Sequence, residues 1–261
     1  MAVDDYVWFV GKVREVCGID LSSYKEAQMK RRLMALRDQN GCHDFYAFYK
    51  KMTGIPAVFN AFLDRMTINV SSFYRNQKRW QVLEEKVLPR LFETRSRLKV
   101  WSAACSTGEE PYTLAIVLSR FLPLSNISIL ATDVDDQVLA KAKEGRFTER
   151  AFEEIPDSVK LKFFKKRDSL HWEVDERLKD AIRFEKHNLL EEPFSKNFDL
   201  IVCRNVLIYF TNEAKEKLYR KFNEALTPGG VLFVGSTEQI FYPERYGFST
   251  QETFFYTKRE H

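Results

Sequence analysis

The chain has 261 residues, 44% of them hydrophobic and 30% charged, and a formal net charge of +4. That composition is ordinary for a globular protein of one large domain or two smaller ones, and the charge is too mild to indicate a nucleic-acid binder by itself. No uninterrupted apolar stretch approaches the roughly 18 residues that cross a bilayer, so direct membrane insertion is not expected. MAVDDYVWFVGKVREVCG sets two aspartates ahead of its apolar residues, unlike a secretory signal. Cys17, Cys42, Cys105 and Cys203 are far apart and form no CxxC pair. Neither a zinc site nor a disulfide framework is therefore expected, and a cytoplasmic location fits.

Tyr6, Phe9, Val10, Val13 and Val16–Cys17 recur at three- and four-residue spacing and predict a first helix. A second starts in SSYKEAQMKRRLMALRDQNG. There Ser23 with Glu26 has the form of a capping box, and Asn40–Gly41 supplies a stop. This helix carries Lys25, Lys30, Arg31, Arg32 and Arg37. HDFYAFYKKM and IPAVFNAFLDRM add two more helices, so residues 1–75 read as an all-helical N-terminal domain. WQVLEEKVLPRLFE then reads as a linking helix within 76–96, kinked or broken at Pro89.

From residue 97 to 261 the pattern changes. LKVWSAA, NISILATD, FDLIVCRN and GVLFVGS read as buried strands. The helical runs EEPYTLAIVLSRFL, DDQVLAKAKEG and NEAKEKLYRKFNEAL alternate with them. Alternation of this kind predicts an α/β domain with a mainly parallel sheet. TPGG at 227–230 reads as a turn, and TFFYTKR as a final antiparallel strand. Between Arg146 and Lys186 the chain is polar with short alternating pieces, SLHWEVD and AIRFEKH, and reads as a small antiparallel insertion at the sheet's edge.

Ligands of open α/β sheets bind beyond the carboxyl ends of the strands. Three such ends carry polar residues that a plain loop does not need. The first is AACSTGEEP, whose small side chains let backbone N–H groups come close to a ligand and whose Gly108 tolerates a positive φ. The second is Asp133, 25 residues beyond that glycine, near the spacing at which an acid reaches a ribose hydroxyl pair. The third is Asn205. Each alone reads as a tight turn or a cap; together they point to a nucleoside-type cofactor. A dinucleotide fold wants three glycines for its pyrophosphate, whereas here only Gly108 is present and Glu109 and Glu110 stand where phosphate would sit. Two carboxylates suit a phosphate-free cation, namely S-adenosyl-L-methionine.

WSAACSTGEEPYTLA, ILATDVD, KHNLL, CRNVLIYF and TINVSSFYR resemble the chemotaxis receptor methyltransferases, the CheR family, over nearly the whole chain. The likeness is greatest to the shorter members of Bacillus-related Gram-positive bacteria. The resemblance implies a Rossmann-like S-adenosylmethionine-dependent methyltransferase domain and methyl esterification of glutamate side chains on chemoreceptors, releasing S-adenosyl-L-homocysteine. It further implies that Asn69, Ser71 and Arg75 contact the cofactor. Glu109 is placed near its methionine end, Asp133 at the ribose or adenosine, Asn188 and Leu189 beside the adenine, and Asn205 and Val206 on the opposite wall. Because the attacking carboxylate is already ionised at neutral pH, no general base is needed. Arg75 is the candidate cation for holding the acidic substrate.

With the resemblance in place, the basic residues Lys25, Lys30, Arg31, Arg32 and Arg37 become a candidate docking face for the acidic helical bundle of chemoreceptors. KKRDSLHWEVDERLKDAIRF, the stretch corresponding to a glycine-rich peptide-tethering loop in some members, has no glycine, so no pentapeptide tether is expected. Nothing demands more than a monomer. Two rivals share the cofactor: a nucleic-acid methyltransferase and a non-catalytic adaptor. The first is disfavoured because Asn205-Val-Leu-Ile lacks the Pro-Pro-aromatic continuation of adenine-N6 enzymes, and because few aromatics interleave the basic residues.

Overall fold

The computed structural model describes residues 4–66 and 71–259, so Asn69 lies outside the described residues. The chain divides into two compact units, Met1–Asn69 with Tyr209–Lys217, and Val70–Ile208 with Leu218–His261.

Among its described residues the smaller unit holds α1 Asp5–Cys17, α2 Glu26–Gln39, α3 Phe45–Gly54 and α4 Pro56–Met66. Caps set the ends of α1, where Asp4 accepts from the Tyr6 N–H and Gly18 closes the helix at φ 70°; Asp44 caps the start of α3 in the same way. Phe9 of α1, Phe45 and Phe48 of α3 and Phe62 of α4 form its aromatic core, all buried. The capping box expected at Ser23 and Glu26 does not form. Ser23 lies in a short turn capped by Asp20, and α2 begins behind Lys25 without a side-chain cap. A backbone pairing with a distant segment takes precedence: Lys25 donates to the Tyr209 carbonyl at 2.9 Å, and Thr211 donates to the Ser23 carbonyl at 2.9 Å. This extended bridge draws Tyr24 out of helical geometry.

The larger unit opens with α5 Gln77–Val82 and α6 Leu88–Thr94, joined through a wide turn at Leu83–Val87 in which the Leu88 N–H reaches the Leu83 carbonyl. That π-helical turn accommodates Pro89 at the start of α6, so the helical path continues and the proline causes no break. Next come β1 Lys99–Ala103, α7 Glu109–Leu118, β2 Ser128–Asp133, α8 Asp136–Glu144, β3 Arg146–Thr148 and α9 Asp157–Phe163. β4 Phe164–Lys166, β5 His171–Val174, α10 Glu176–Asp180, β6 Ile182–Lys186 and β7 Phe198–Cys203 follow. α11 Asn212–Ala225, whose residues up to Lys217 are counted with the smaller unit, then β8 Leu226–Val234, β9 Phe248–Glu252 and β10 Phe255–Lys258 follow.

Seven strands form one sheet in the order β6-β2-β1-β7-β8-β10-β9. The first five are parallel, and β10 and β9 are antiparallel. This is a Rossmann-like sheet. Every residue of β7 is buried, as a central strand covered on both faces requires. β3, β5 and β4 make a separate antiparallel sheet, the small insertion.

Two segments differ from the sequence reading. AIRFEKH is not part of the insertion: Ile182–Lys186 pairs in parallel with Ile129–Asp133 as an edge strand of the main sheet. Its alternating pattern reflects an edge strand with one face covered, a periodicity that an antiparallel hairpin shares. TPGG is not a turn either, because β8 runs through it with a register irregularity against β7. Gly230 is required there, since a Cβ would lie 2.9 Å from the Thr227 carbonyl oxygen and 3.0 Å from that of Phe198.

Candidate functional site

The parallel strands β6, β2, β1 and β7 are neighbours, so their carboxyl ends, and the residues that follow them, line one edge of the sheet. β1 connects through α7 to β2 on one side, whereas its other neighbour β7 connects onward through α11 to β8 on the opposite side, and this reversal is the switch point where such sheets open a crevice. Asp133 ends β2, the loop 104–108 follows β1, Asn188 and Leu189 follow β6, and Asn205 and Val206 follow β7.

The loop after β1 is wound tightly: Ala104, Ser106 and Gly108 have φ values of 62°, 49° and 101°. Gly108 is needed twice over, because its φ disfavours a side chain and a Cβ would stand 3.0 Å from that of Ala142 in α8. The sequence reading had the loop's amides facing a ligand. Three of them are instead used within the protein: Cys105 donates to the Thr132 carbonyl at 2.9 Å, Gly108 donates to the Cys105 carbonyl at 3.1 Å, and Ser106 donates to Asp133 Oδ2 at 2.9 Å.

Asp133 is buried and also accepts from the Asp135 N–H at 3.1 Å through Oδ1. It does not cap α8; Asp135 does, accepting from Gln137. Burial pushes the Asp133 carboxyl up to about 6, against the opposing pull of the amides that donate to it. Glu109, the first residue of α7, is buried too and is likewise raised by burial. Its carboxylate accepts from Thr107 Oγ1 at 2.7 Å and is hydrogen-bonded by the Ser71 side chain, so the structure brings two sequence-designated residues, Ser71 and Glu109, together. Neither Glu109 nor Asp133 has an ion-pair partner among the described residues.

Glu110 behaves differently. It turns inward, accepting from Ser102 Oγ at 2.9 Å and lying 3.6 Å from the Arg204 guanidinium. Burial dominates both partners: it raises Glu110 to about 7 and lowers Arg204, despite their attraction. So of the two adjacent glutamates that the sequence reading assigned jointly to a cation, one already has an internal counter-ion. Arg204 also donates to the Arg75 carbonyl at 2.7 Å and stacks over Trp80 and Phe233. Arg75 itself is half-buried, and its charge reaches Glu110 and Arg204.

On the β7 side, Asn205 adopts φ 61° and its N–H donates to Glu238 Oε2 at 2.7 Å; Val206 beside it is half-buried. On the β6 side, Asn188 Oδ1 caps the Leu190 N–H at 3.0 Å, and the buried Leu189 offers its carbonyl to Lys221 Nζ at 2.7 Å. The sequence reading missed Ser102, Arg204 and Glu238. An arginine directly after the apolar run LIVC was the available signal for one of them, since a charge there must be paired.

The arrangement fits a phosphate-free, positively charged nucleoside. Glu109 and Glu110 occupy the first turn of α7, where the helix dipole would otherwise draw an anion. Glu109 and Asp133 keep two desolvated carboxylates beside a tight small-residue loop. The five basic residues of the smaller unit do not act alike. Lys30 pairs with Asp4 at 3.1 Å, Arg37 pairs with Asp38 at 2.8 Å, and Arg32 stacks on Tyr209, whereas Lys25 and Arg31 are exposed.

Residues 69–255 match the family described as CheR methyltransferase, SAM binding domain, and residues 4–67 match CheR methyltransferase, all-alpha domain. The chain is 44% identical over 256 residues to a chemotaxis protein methyltransferase of Listeria monocytogenes, covering 97% of each chain. It is 36% identical over 237 residues to one of Borreliella burgdorferi, covering 85% of this chain and 83% of that one. Among solved structures, the glycopeptide N-methyltransferase MtfA complexed with S-adenosyl-L-methionine is 15% identical with a TM-score of 0.35, covering 58% of this chain and 48% of that one, a likeness too loose to bear on the site.

Proposed function

The chain belongs to the CheR methyltransferase family, and from that premise we propose that it transfers the methyl group of S-adenosylmethionine to glutamate side chains of bacterial chemoreceptors. The observation that carries this reading is the pair of buried carboxylates, Glu109 and Asp133, that have no cation partner among the described residues at the mouth of a parallel sheet. Bound there, the cofactor supplies an electrophilic methyl on a positively charged sulfur. Glu109, held by Thr107 and Ser71, faces the cationic methionine end, and Asp133 accepts from the ribose hydroxyls. Asn188 and Leu189 border the adenine, and Asn205 and Val206 form the opposite wall.

The chain's task in the reaction is alignment and desolvation, which supply about 7–11 kcal/mol when two reactants are held in near-attack geometry. The receptor glutamate arrives ionised, so no side chain has to take its proton. Arg75 holds it: Arg204 and Trp80 Nε1 both donate to the Arg75 carbonyl, at 2.7 and 3.1 Å, which locks its backbone. Arg75→Ala is expected to lower kcat/KM for receptor by tenfold to a hundredfold, the value of a hydrogen bond between charged groups, about 1.5–3 kcal/mol. A folded variant with near-normal turnover would remove Arg75 from this role.

The test of the function itself is transfer of tritium from methyl-labelled cofactor to receptor-bearing membranes. A base-labile ester is expected; label that resists base, or that enters nucleic acid, refutes the reading. Receptor docking is assigned to the basic helix of the smaller unit, through the exposed Lys25 and Arg31. Reversing both to Glu should raise KM for receptor several-fold and flatten its salt dependence, with the Kd for S-adenosylhomocysteine unchanged. An unaltered KM would place the docking face elsewhere.

A further inference from the structure

Glu238 is a buried acid that the chemistry above does not use. It sits after β8 with 5% of its surface exposed, and it has no ion-pair partner among the described residues. What it has is a set of backbone donors. Oε2 accepts from the Asn205 N–H and the Gly235 N–H, both at 2.7 Å, and Oε1 accepts from the Ile208 N–H at 3.2 Å. The Leu207 N–H donates to the same carboxylate. Three of these four donors belong to the turn that follows β7, and the fourth belongs to the residue directly after β8.

Burial raises the Glu238 carboxyl, the amides that donate to it oppose that rise, and the amides are in turn held where it sits. Asn205 has φ 61°, a left-handed conformation that asparagine tolerates but does not prefer. The N–H bond to Glu238 keeps it there. The neighbouring sequence leaves room for nothing larger: a Cβ on Gly235 would lie 2.4 Å from Glu238 Oε2 and 2.9 Å from the Asn205 nitrogen.

We infer that Glu238 is a positioning residue for the cofactor, a carboxylate hub that fixes the Asn205–Ile208 turn and so presents Asn205 to the ligand. The inference rests on the reading of Asn205 as a wall of the cofactor site. Gln at 238 has the same size and shape, but its amide end must face at least one N–H donor whichever way it turns, so it preserves the packing and opposes the hub.

The test is a double-mutant cycle on the Kd for S-adenosylhomocysteine, measured by calorimetry, with thermal unfolding of each variant. Asn205→Ala and Glu238→Gln should each raise Kd about tenfold. The double variant should also lose about tenfold, not the hundredfold of independent sites, because the second change removes what the first already displaced. A purely structural Glu238 would lower Tm without this coupling. Should Glu238→Gln fail to fold, Gly235→Ala pushes the same carboxylate aside and replaces it in the cycle. If Asn205→Ala leaves Kd at the wild-type value, the wall reading falls and takes the inference with it. If Asn205→Ala is impaired while the 238 variant binds normally, or if the losses multiply, the inference alone is overturned.

Discussion

Asp133→Asn is expected to raise the Kd for S-adenosylhomocysteine at least a hundredfold while the fold survives. A carboxylate that accepts from both hydroxyls of a ribose makes two charge-assisted hydrogen bonds worth about 1.5–3 kcal/mol each, and every 1.4 kcal/mol is about tenfold in affinity. Ser106 and Asp135 donate to different oxygens, so asparagine keeps an acceptor for only one of these amides and forfeits the charge; the loop loses one hydrogen bond while the ligand loses two charge-assisted ones, so binding suffers more than stability.

The pH dependence gives the same prediction a second, independent readout. Burial raises the Asp133 carboxyl from 3.8 to about 6. An acid whose folded pKa lies above its unfolded value destabilises the fold where it is ionised; that penalty grows from pH 4 to 6 and is complete above 6. Binding runs the other way. Ribose hydroxyls donate to the ionised form, so wild-type affinity should fall up to tenfold per pH unit below about 6, and the Asp133→Asn variant should be flat there. A Kd within threefold of wild type, or an unchanged pH profile in the variant, would show that Asp133 serves the loop and not the ligand.

Arg204→Ala should lower stability by about 3–5 kcal/mol, the usual penalty for removing one member of a buried pair. For a domain of this size that is a fall in Tm of about 6–20 °C. The cause is specific. Glu110 would remain buried against Ser102 with its cation gone, the Arg75 carbonyl would lose one of its two donors, and the stack over Trp80 and Phe233 would become a void. Because Glu110 already titrates at about 7, protonation should relieve part of the loss, so the variant should recover stability as pH is lowered towards 6. Pairing Arg204→Met with Glu110→Gln, which removes both charges, should recover more. A Tm within 2 °C of wild type for Arg204→Ala would mean that the pair is not an element of stability.

Arg204→Ala and Glu238→Gln probe neighbouring parts of one polar network. Arg204 connects Glu110 of α7 to the carbonyl of Arg75, and Glu238 holds the next residue, Asn205. Stability and alignment are therefore built from the same polar groups.

Much of this was present in the amino-acid order. Period-2 and period-3.6 apolar patterns located the strands and helices because burial of one face, or of both, is a local property of the chain. LIVCRN and SILATD declared their burial by composition, and ACSTGEEP announced a loop too small and too acidic for phosphate. These features need no knowledge of what lies opposite.

What only the tertiary structure decided is which partner each polar group takes. Glu109 and Glu110 are adjacent and chemically identical, yet the helix turns one towards Thr107 and Ser71 and the other into the interior against Arg204, 94 residues away by number. Ser23 and Glu26 have the spacing of a capping box, but a bridge to Tyr209 and Thr211 overrides it. AIRFEKH alternates as a hairpin strand would, and only its parallel pairing with β2 shows that it belongs to the main sheet. In each case a local preference worth about 1 kcal/mol competes with long-range hydrogen bonds and desolvation worth several, and the long-range contacts prevail.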